Sequence, residues 1–374
     1  MKQLAPLTGL RGVAACSVLI AHAIDNAFQY DRAHFNPYAA TLAYFGMSLF
    51  FVLSGFVIQY NYGQSFRSLP LRVAARRFYV ARFARLYPLY AVSILISLPF
   101  IPTPWPAWIN ASYLTLTQSW FNVEMTAFPP DWSISTEWFF YLAFIPLTPF
   151  VIRVQRPFVA LVGLCIVAMI GLGVAFNFWQ EPITALAQNW FWHSPQMSAD
   201  AWGWCIYFSP YIRVLDFLVG MLAARCYQMS SLTHLRASAV VLTVGLAWCA
   251  LAYAGGVANP PFINNIIPNF AFAPGIGLIM IATSRDKDPL ARALSSPAAL
   301  FFGEISYSIY IWSIFVVNAL ASTLQGSQPI TIAYLNSALK VVVVFALTIM
   351  MAYGSYHLIE MPSRRWLRER FAGS

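Results

Sequence analysis

Three ionisable side chains interrupt the first apolar run of the sequence at the spacing of one helix face. In LRGVAACSVLIAHAIDN, Arg11 precedes His22 by eleven residues and Asp25 follows His22 by three. Eleven residues return a helical side chain to nearly the same face, about 16 Å along the axis, and residues three apart are neighbours. A carboxylate beside an imidazole orients and strengthens a general base. The other explanation is structural, with Arg11 reaching the lipid headgroups at one end and a His–Asp pair reaching them at the other.

The composition places these side chains in a membrane protein. Of 374 residues, 59% are hydrophobic and 9% are charged, whereas about 25% of a soluble domain is charged. A spanning helix needs about 20 mostly apolar residues. The sequence therefore predicts an all-α, polytopic transmembrane helix bundle that forms one domain, 1–374, with no appended soluble domain. About ten spans are predicted, at 8–27, 40–60, 85–101, 134–152, 158–177, 207–227, 238–255, 266–284, 301–321 and 331–357.

The basic residues are distributed unevenly about these spans. If the N-terminus is cytoplasmic, every Lys and Arg lies at an inner helix end or loop except Arg32, Arg213 and Lys340. The positive-inside rule then places both termini in the cytoplasm. This distribution accounts for most of the net charge of +9 without a nucleic-acid partner. The five cysteines show no metal-ligand spacing and no disulfide framework, so we expect no metal.

Six short stretches, taken in chain order, form a recognisable set. They are Arg11 with His22, GMSLFFVLSGF (46–56), RFARLYP (82–88), WSISTEWFFY (132–141), FGEISYSIYIW (302–312) and IEMPSRRWL (359–367). Together they resemble the motifs of the acyltransferase-3 family, which are integral-membrane O-acyltransferases. One position departs from the family pattern, because Ser313 stands where many members have a second His. His22 is therefore the only His in a strong motif position.

The resemblance implies transfer of an acyl group, usually acetyl from acetyl-CoA, to a hydroxyl of a sugar or similar acceptor. We therefore expect a multi-pass protein of a bacterial inner membrane whose partners are acyl-CoA, membrane lipids and a glycan or lipid-linked oligosaccharide. A hydroxyl is a poor nucleophile at neutral pH, and a base that takes its proton is the usual remedy. We assign that base to His22, oriented by Asp25.

The donor side is predicted from arginines at an inner helix end. Arg82 and Arg85 form an i, i+3 pair inside a motif that resembles the family's, and Arg binds phosphate in a bidentate way. CoA carries three phosphates, so we predict that Arg82, Arg85 and Arg11 bind it. Glu360 and Pro362, in the closing motif, are expected to fix the last helix end near this side.

Glu137 lies five residues into an apolar helix, and its role stays open. It is too deep to be only a partner of the helix dipole. It could pair with Arg213, orient His22 in place of Asp25, or belong to a structural ion pair. We keep Glu137 among the catalytic candidates.

The acceptor side is predicted less specifically. Trp132 and Ser133 open the Glu137 helix, where Ser133 could be the N-cap. Arg213 could line an acceptor cavity, although it could equally be neutralised by Asp216 three residues later. Trp132, Ser133 and Arg213 are our substrate-binding candidates.

Ser54 and Gly55 lie in the middle of the second predicted span. Small residues at such positions permit close approach of two membrane helices, and this is the interpretation we favour. Ser54 as a covalent acyl carrier is the alternative, but the sequence shows no base placed for it.

Two other functions remain open at this point. A transporter or flippase without chemistry predicts an internally repeated topology with broken helices in matching halves, and the sequence shows no such repeat. An acyl-relay subunit would bind CoA and deliver the acyl group to a separate enzyme.

Overall fold

The computed structural model describes residues 4–27, 36–97, 106–121, 131–189, 201–229, 235–258, 266–285, 288–321 and 330–371. These ranges contain helices and turns and no strand. The α-helices are α1 (Ala5–Ala27), α2 (Pro37–Tyr62), α3 (Ser65–Ser68), α4 (Leu71–Ser97), α5 (Ala107–Leu114), α6 (Asp131–Arg153), α7 (Pro157–Phe178), α8 (Gln180–Asn189), α9 (Ala201–Gly203), α10 (Pro210–Met229), α11 (Leu235–Ala258), α12 (Ala273–Thr283), α13 (Pro289–Leu294), α14 (Pro297–Glu304), α15 (Ser306–Ala321), α16 (Ile330–Ser355) and α17 (Met361–Phe371).

The prediction of an all-α membrane bundle is confirmed. In the described ranges, eight helices are long and apolar enough to cross a membrane, and α14 with α15 forms a ninth candidate bent by 66°. The eighth predicted span, 266–284, is a turn followed by the 11-residue helix α12. A helix of that length extends about 16 Å and is too short to cross a bilayer alone.

The largest boundary error of the sequence prediction concerns α4. The predicted span began at residue 85, whereas the helix begins at Leu71 and contains Arg82 and Arg85 in its middle. The first half of α4 was not predicted as part of a span, because its arginines lower the hydropathy there. The helix persists there because α17 packs along it, and the Nε of Arg76 donates to the backbone oxygen of Phe371 at 3.1 Å.

The helices α1, α2 and α10 form the centre of the bundle. In the most apolar 18-residue stretch of α1 and in that of α2, 67% of the residues are buried, compared with 22% in the corresponding stretch of α7. The helices α2 and α10 cross at close range. A Cβ on Gly55 would overlap the backbone oxygen of Phe217, and a Cβ on Gly220 would overlap that of Val52. The close approach predicted at Gly55 is therefore present.

Gly220→Ala is expected to destabilise the protein by about 1–3 kcal/mol, because the added methyl group forces two packed helices apart. Gly171→Ala on α7 is the matched control, since a Cβ there meets nothing within 4 Å. The midpoint of thermal unfolding in detergent measures both variants. Equal shifts for the two would contradict the assignment of this crossing as a close contact.

Candidate active site

A cavity with an empty volume of about 660 Å³, part of it open to solvent, lies between α1, α2, α4, α6 and α15. We call Arg11, Arg82 and Arg85 its basic end, and Met47, Phe50 and Tyr310 its aromatic end. The helix α2 runs along the cavity from Met47 to Ile58. Eleven helical residues span about 16 Å, so the two ends are well separated.

The basic end has unused hydrogen-bonding capacity. Arg82 is buried, its Nη2 donates to the Tyr62 hydroxyl at 3.4 Å, and its guanidinium lies 5.3 Å and 5.8 Å from the ring centroids of Tyr62 and Tyr141. In the described part of the chain, the Nε atoms of Arg82 and Arg85 are buried without an acceptor. Buried donors without acceptors are costly unless a ligand supplies the acceptors.

The charge around the basic end is positive. Arg364 and Arg368 of α17 lie within electrostatic range of its arginines. The neighbouring carboxylates are Glu137 and Glu360, and Glu360 lies 3.3 Å from Arg364 and accepts from Ser308 at 3.0 Å. Two carboxylates thus face five guanidinium groups among the residues described here, and such a cluster attracts a polyanion.

Glu137 lines the cavity between its two ends. Its Oε1 accepts hydrogen bonds from the Ser54 hydroxyl at 3.0 Å and from the Tyr141 hydroxyl at 2.6 Å. The described hydrogen bonds and ion pairs of Glu137 include neither Arg213 nor His22, which were two of the alternatives that the sequence left open for it. The carboxylate is therefore held by two hydroxyl groups from α2 and α6.

Arg11 and His22 share a face of α1 that points into the bundle. On one flank of this face, Ala14 and Val18 pack in the cluster that contains α2, and on the other flank Leu19 packs in the cluster that contains the start of α15. The face therefore points towards the seam between α2 and α15. The predicted common face of Arg11 and His22 is thus directed at the cavity wall.

His22 lies beyond the aromatic end of the cavity. It is half-buried and is not among the lining residues. A Cβ on Gly46 would touch Val18, so the neighbouring Met47 lies level with this part of α1. His22 is one helical turn beyond Val18, about 6 Å further along the axis. The structure thus places Arg11 in the cavity and His22 next to its far end.

Asp25 makes a different contact from the predicted one. Among the described residues, no hydrogen bond or ion pair joins Asp25 to His22. Its carboxylate instead accepts from the backbone N–H of Asn36, the residue whose side chain caps the start of α2. Asp25 therefore links the end of α1 to the beginning of α2.

Ser133 and Trp132 have separate environments. Ser133 lies in the first turn of α6, which begins at Asp131, and is not its N-cap. Its hydroxyl donates to the Tyr310 hydroxyl at 2.6 Å, and both residues line the cavity. The Trp132 side chain is buried against Phe51 and Tyr207. Ser133 faces the cavity, whereas Trp132 packs behind it.

Arg213 is enclosed within the protein. It is 0% exposed, forms an ion pair with Asp216 at 3.4 Å, and donates to the backbone oxygens of Tyr207 and Asn269 at 3.0 Å and 2.9 Å. The guanidinium also lies over the rings of Phe51, Trp132 and Tyr207. The sequence left two roles open for Arg213, and the geometry provides neutralisation by Asp216 without exposure to the cavity.

In the described ranges, no group of three His, Cys, Asp or Glu side chains is arranged to hold a metal ion. All five cysteines are free thiols.

Comparison with known proteins identifies the family. The model of an acyltransferase domain, that of the acyltransferase-3 family, matches residues 5–357. The chain belongs to the acyltransferase-3 family. It is similar to the acyltransferase MdmB of Streptomyces mycarofaciens, with 27% identity over 84% of this chain and 79% of that protein. It is also similar to the peptidoglycan O-acetyltransferase OatA of Listeria monocytogenes, with 24% identity over 97% of this chain and 56% of that protein. No solved structure matches the chain.

The protein is therefore a membrane O-acyltransferase.

Three residues that line the cavity or support a lining residue were not predicted from the sequence. They are Phe50, Tyr310 and Tyr141. Tyr141 stands four residues after Glu137, a spacing at which helical side chains meet, so the sequence contained a signal for this contact. Tyr310 and Phe50 both lie inside motifs, but nothing in the sequence indicated that their rings meet at one end of the cavity. Their ring centroids are 5.8 Å apart.

Asp216→Ala is expected to destabilise this acyltransferase by about 3–5 kcal/mol, because it leaves the Arg213 cation buried without its counter-ion. The double variant Arg213→Met with Asp216→Leu removes both charges and should recover most of that loss. Thermal unfolding in detergent distinguishes the two variants. A stable Asp216→Ala protein would show that Arg213 has access to water or to another anion.

Proposed function

We propose that this acyltransferase takes an acyl group, acetyl in the first instance, from acyl-CoA on the cytoplasmic side of a bacterial inner membrane. It transfers the group to a hydroxyl of a surface or secreted glycan. The observation that supports this proposal most strongly is the cavity itself, which joins a cluster of arginines at one end to the neighbourhood of His22 at the other.

The donor fits the charge of the basic end. The phosphates of CoA supply the acceptors that the buried Nε atoms of Arg82 and Arg85 need, and Arg–phosphate hydrogen bonds are among the strong ones. From there the pantetheine arm extends along α2 past Glu137, whose carboxylate can accept a hydrogen bond from an amide N–H of the arm. The thioester then lies towards the aromatic end.

The acceptor hydroxyl meets the thioester beside His22. Its oxygen attacks the carbonyl carbon while His22 takes the proton, so that a C–O bond forms. The C–S bond then breaks, CoA leaves as a thiolate, and the proton passes from His22 to the sulfur. In this proposal Asp25 fixes the end of α1 through its hydrogen bond with the backbone N–H of Asn36.

A glycan acceptor is supported by the name of one relative, OatA, which is a peptidoglycan O-acetyltransferase. This chain spans 56% of the length of OatA, so a glycan acceptor is a proposal for this chain and is not inferred from the activity of OatA alone. Glycans and lipid-linked oligosaccharides both offer the hydroxyl that the chemistry needs.

The test is acyl transfer by purified protein in nanodiscs with radiolabelled acetyl-CoA and a panel of bacterial polysaccharides and lipid-linked oligosaccharides. We expect label on at least one glycan. Release of CoA that leaves every glycan unlabelled would favour the acyl-relay function. If acetyl-CoA were neither bound nor turned over, the donor assignment would be contradicted.

A further inference from the structure

The cavity changes from charged to apolar along its length. At the aromatic end, the rings of Phe50 and Tyr310 meet edge to face with centroids 5.8 Å apart, and Met47 lies one turn before Phe50 on α2. The only other polar group described at this end is the Ser133 hydroxyl, which already donates to Tyr310 at 2.6 Å. Such a surface suits a small apolar group better than a phosphate or a sugar.

The wall at this end is held from both sides. Phe50 packs against the cluster that contains α2 and also against the one that contains α15. Tyr310 is buried and is held by Ser133 as well as by Phe50. A ring fixed by packing on two sides cannot swing aside without opening space elsewhere. The aromatic end therefore has a defined size.

The distance from the basic end matches the donor's shape. Ile58 lies one turn before Tyr62, whose hydroxyl accepts a hydrogen bond from the basic end. Phe50 lies eight residues before Ile58 on α2, which is about 12 Å along the axis, and Met47 lies about 16 Å from Ile58. A CoA molecule with its phosphates at the basic end carries its acyl group at the far end of an extended arm. That group is thus directed towards Phe50, close to the part of α1 that leads to His22.

We propose that the aromatic end, formed by Met47, Phe50 and Tyr310, is an acyl-binding subsite that accepts short acyl groups of CoA thioesters and excludes long ones. This inference rests on the proposed function, since it takes acyl-CoA as the donor. It adds the residues that select the acyl group, and Phe50 is the one whose replacement enlarges the subsite most simply.

The experiment is displacement of radiolabelled acetyl-CoA from protein in nanodiscs by CoA, acetyl-CoA, butyryl-CoA and hexanoyl-CoA. The wild type should bind hexanoyl-CoA more weakly than acetyl-CoA. Phe50→Ala should strengthen hexanoyl-CoA binding by at least about tenfold, since each buried methylene contributes about 0.8 kcal/mol, or roughly fourfold. Binding of CoA itself should stay within about twofold. Phe50→Trp should weaken butyryl-CoA binding.

Phe45→Ala is the matched control, because Phe45 lies on the same helix and packs against Phe272 away from the lining residues. Phe50→Leu replaces Phe50→Ala if the smaller side chain prevents folding, as judged by size-exclusion chromatography. If CoA binds but Phe50 variants keep the wild-type ratio of hexanoyl-CoA to acetyl-CoA affinity, the subsite is overturned and the donor assignment stands. If no CoA species displaces the label or binds, the donor assignment fails, and the subsite fails with it.

Discussion

Replacing His22 with alanine is expected to lower acyl transfer by about 10²–10⁴-fold, the usual contribution of a general base. Binding of acetyl-CoA should not change, because His22 lies beyond the aromatic end of the cavity and outside its lining. The physical reason is that an acceptor hydroxyl must lose its proton as it attacks the thioester, and no other imidazole lies in a motif position. The measurement is the rate of label transfer to glycan by wild type and variant at matched expression.

The chain offers a matched control for this experiment. His357 is exposed, lies just after the long helix α16 and packs edge to face against Tyr353, so His357→Ala should keep wild-type activity. Full transfer by His22→Ala, with normal expression, would show that the base lies elsewhere. Glu137 would then be the next candidate, because it is a carboxylate that lines the cavity and is already bonded to the Ser54 hydroxyl.

Replacing Arg85 with glutamine is expected to weaken acetyl-CoA binding by about tenfold to a hundredfold. A hydrogen bond to a charged group contributes about 1.5–3 kcal/mol, and about 1.4 kcal/mol is a factor of ten. Arg85 is the best choice for this test because it lines the cavity and its Nε has no acceptor among the described residues. Arg85→Lys should recover part of the affinity, since it keeps the charge but loses the bidentate geometry.

Arg77 provides the control on the same helix. It is exposed and lies outside the cavity lining, so Arg77→Gln should bind acetyl-CoA as the wild type does. Equal losses for Arg77→Gln and Arg85→Gln would mean that the protein attracts CoA through its overall positive charge. The measurement is equilibrium binding of radiolabelled acetyl-CoA at two salt concentrations, because a specific Arg–phosphate contact inside a cavity is screened less than an exposed charge.

Hydropathy was sufficient to place most of the helices. Lipid-facing helices such as α7 are apolar on nearly every side, so their composition alone reveals them. The same reasoning failed for the first half of α4. There the arginines serve the cavity and the contact with α17, and a polar helix half does not resemble a span.

Helical spacing predicted shared faces but could not choose among partners. It correctly placed Arg11 and His22 on one face of α1. It also allowed an Asp25–His22 contact, whereas the carboxylate bonds to the backbone of Asn36, which follows in the next element. Residues three apart can touch, but a free backbone N–H at a helix start competes for the same carboxylate.

Helical spacing could not predict contacts between distant parts of the chain. Ser54 and Glu137 are 83 residues apart and meet only because α2 and α6 flank the same cavity. From the sequence, no base could be placed beside Ser54 and no role could be assigned to Glu137. In the fold, the Ser54 hydroxyl donates a hydrogen bond to the Glu137 carboxylate. The Ser133–Tyr310 hydrogen bond, across 177 residues, was hidden for the same reason.

The most direct test of the proposed donor site is a cryo-electron microscopy structure of the protein in nanodiscs with a non-hydrolysable acetyl-CoA analogue. We expect the phosphates to contact Arg82 and Arg85, the arm to pass Glu137, and the acyl end to lie against Phe50 and Tyr310 on the side of His22. An analogue bound outside this cavity, or bound inside it with its phosphates away from the two arginines, would contradict the proposed donor site.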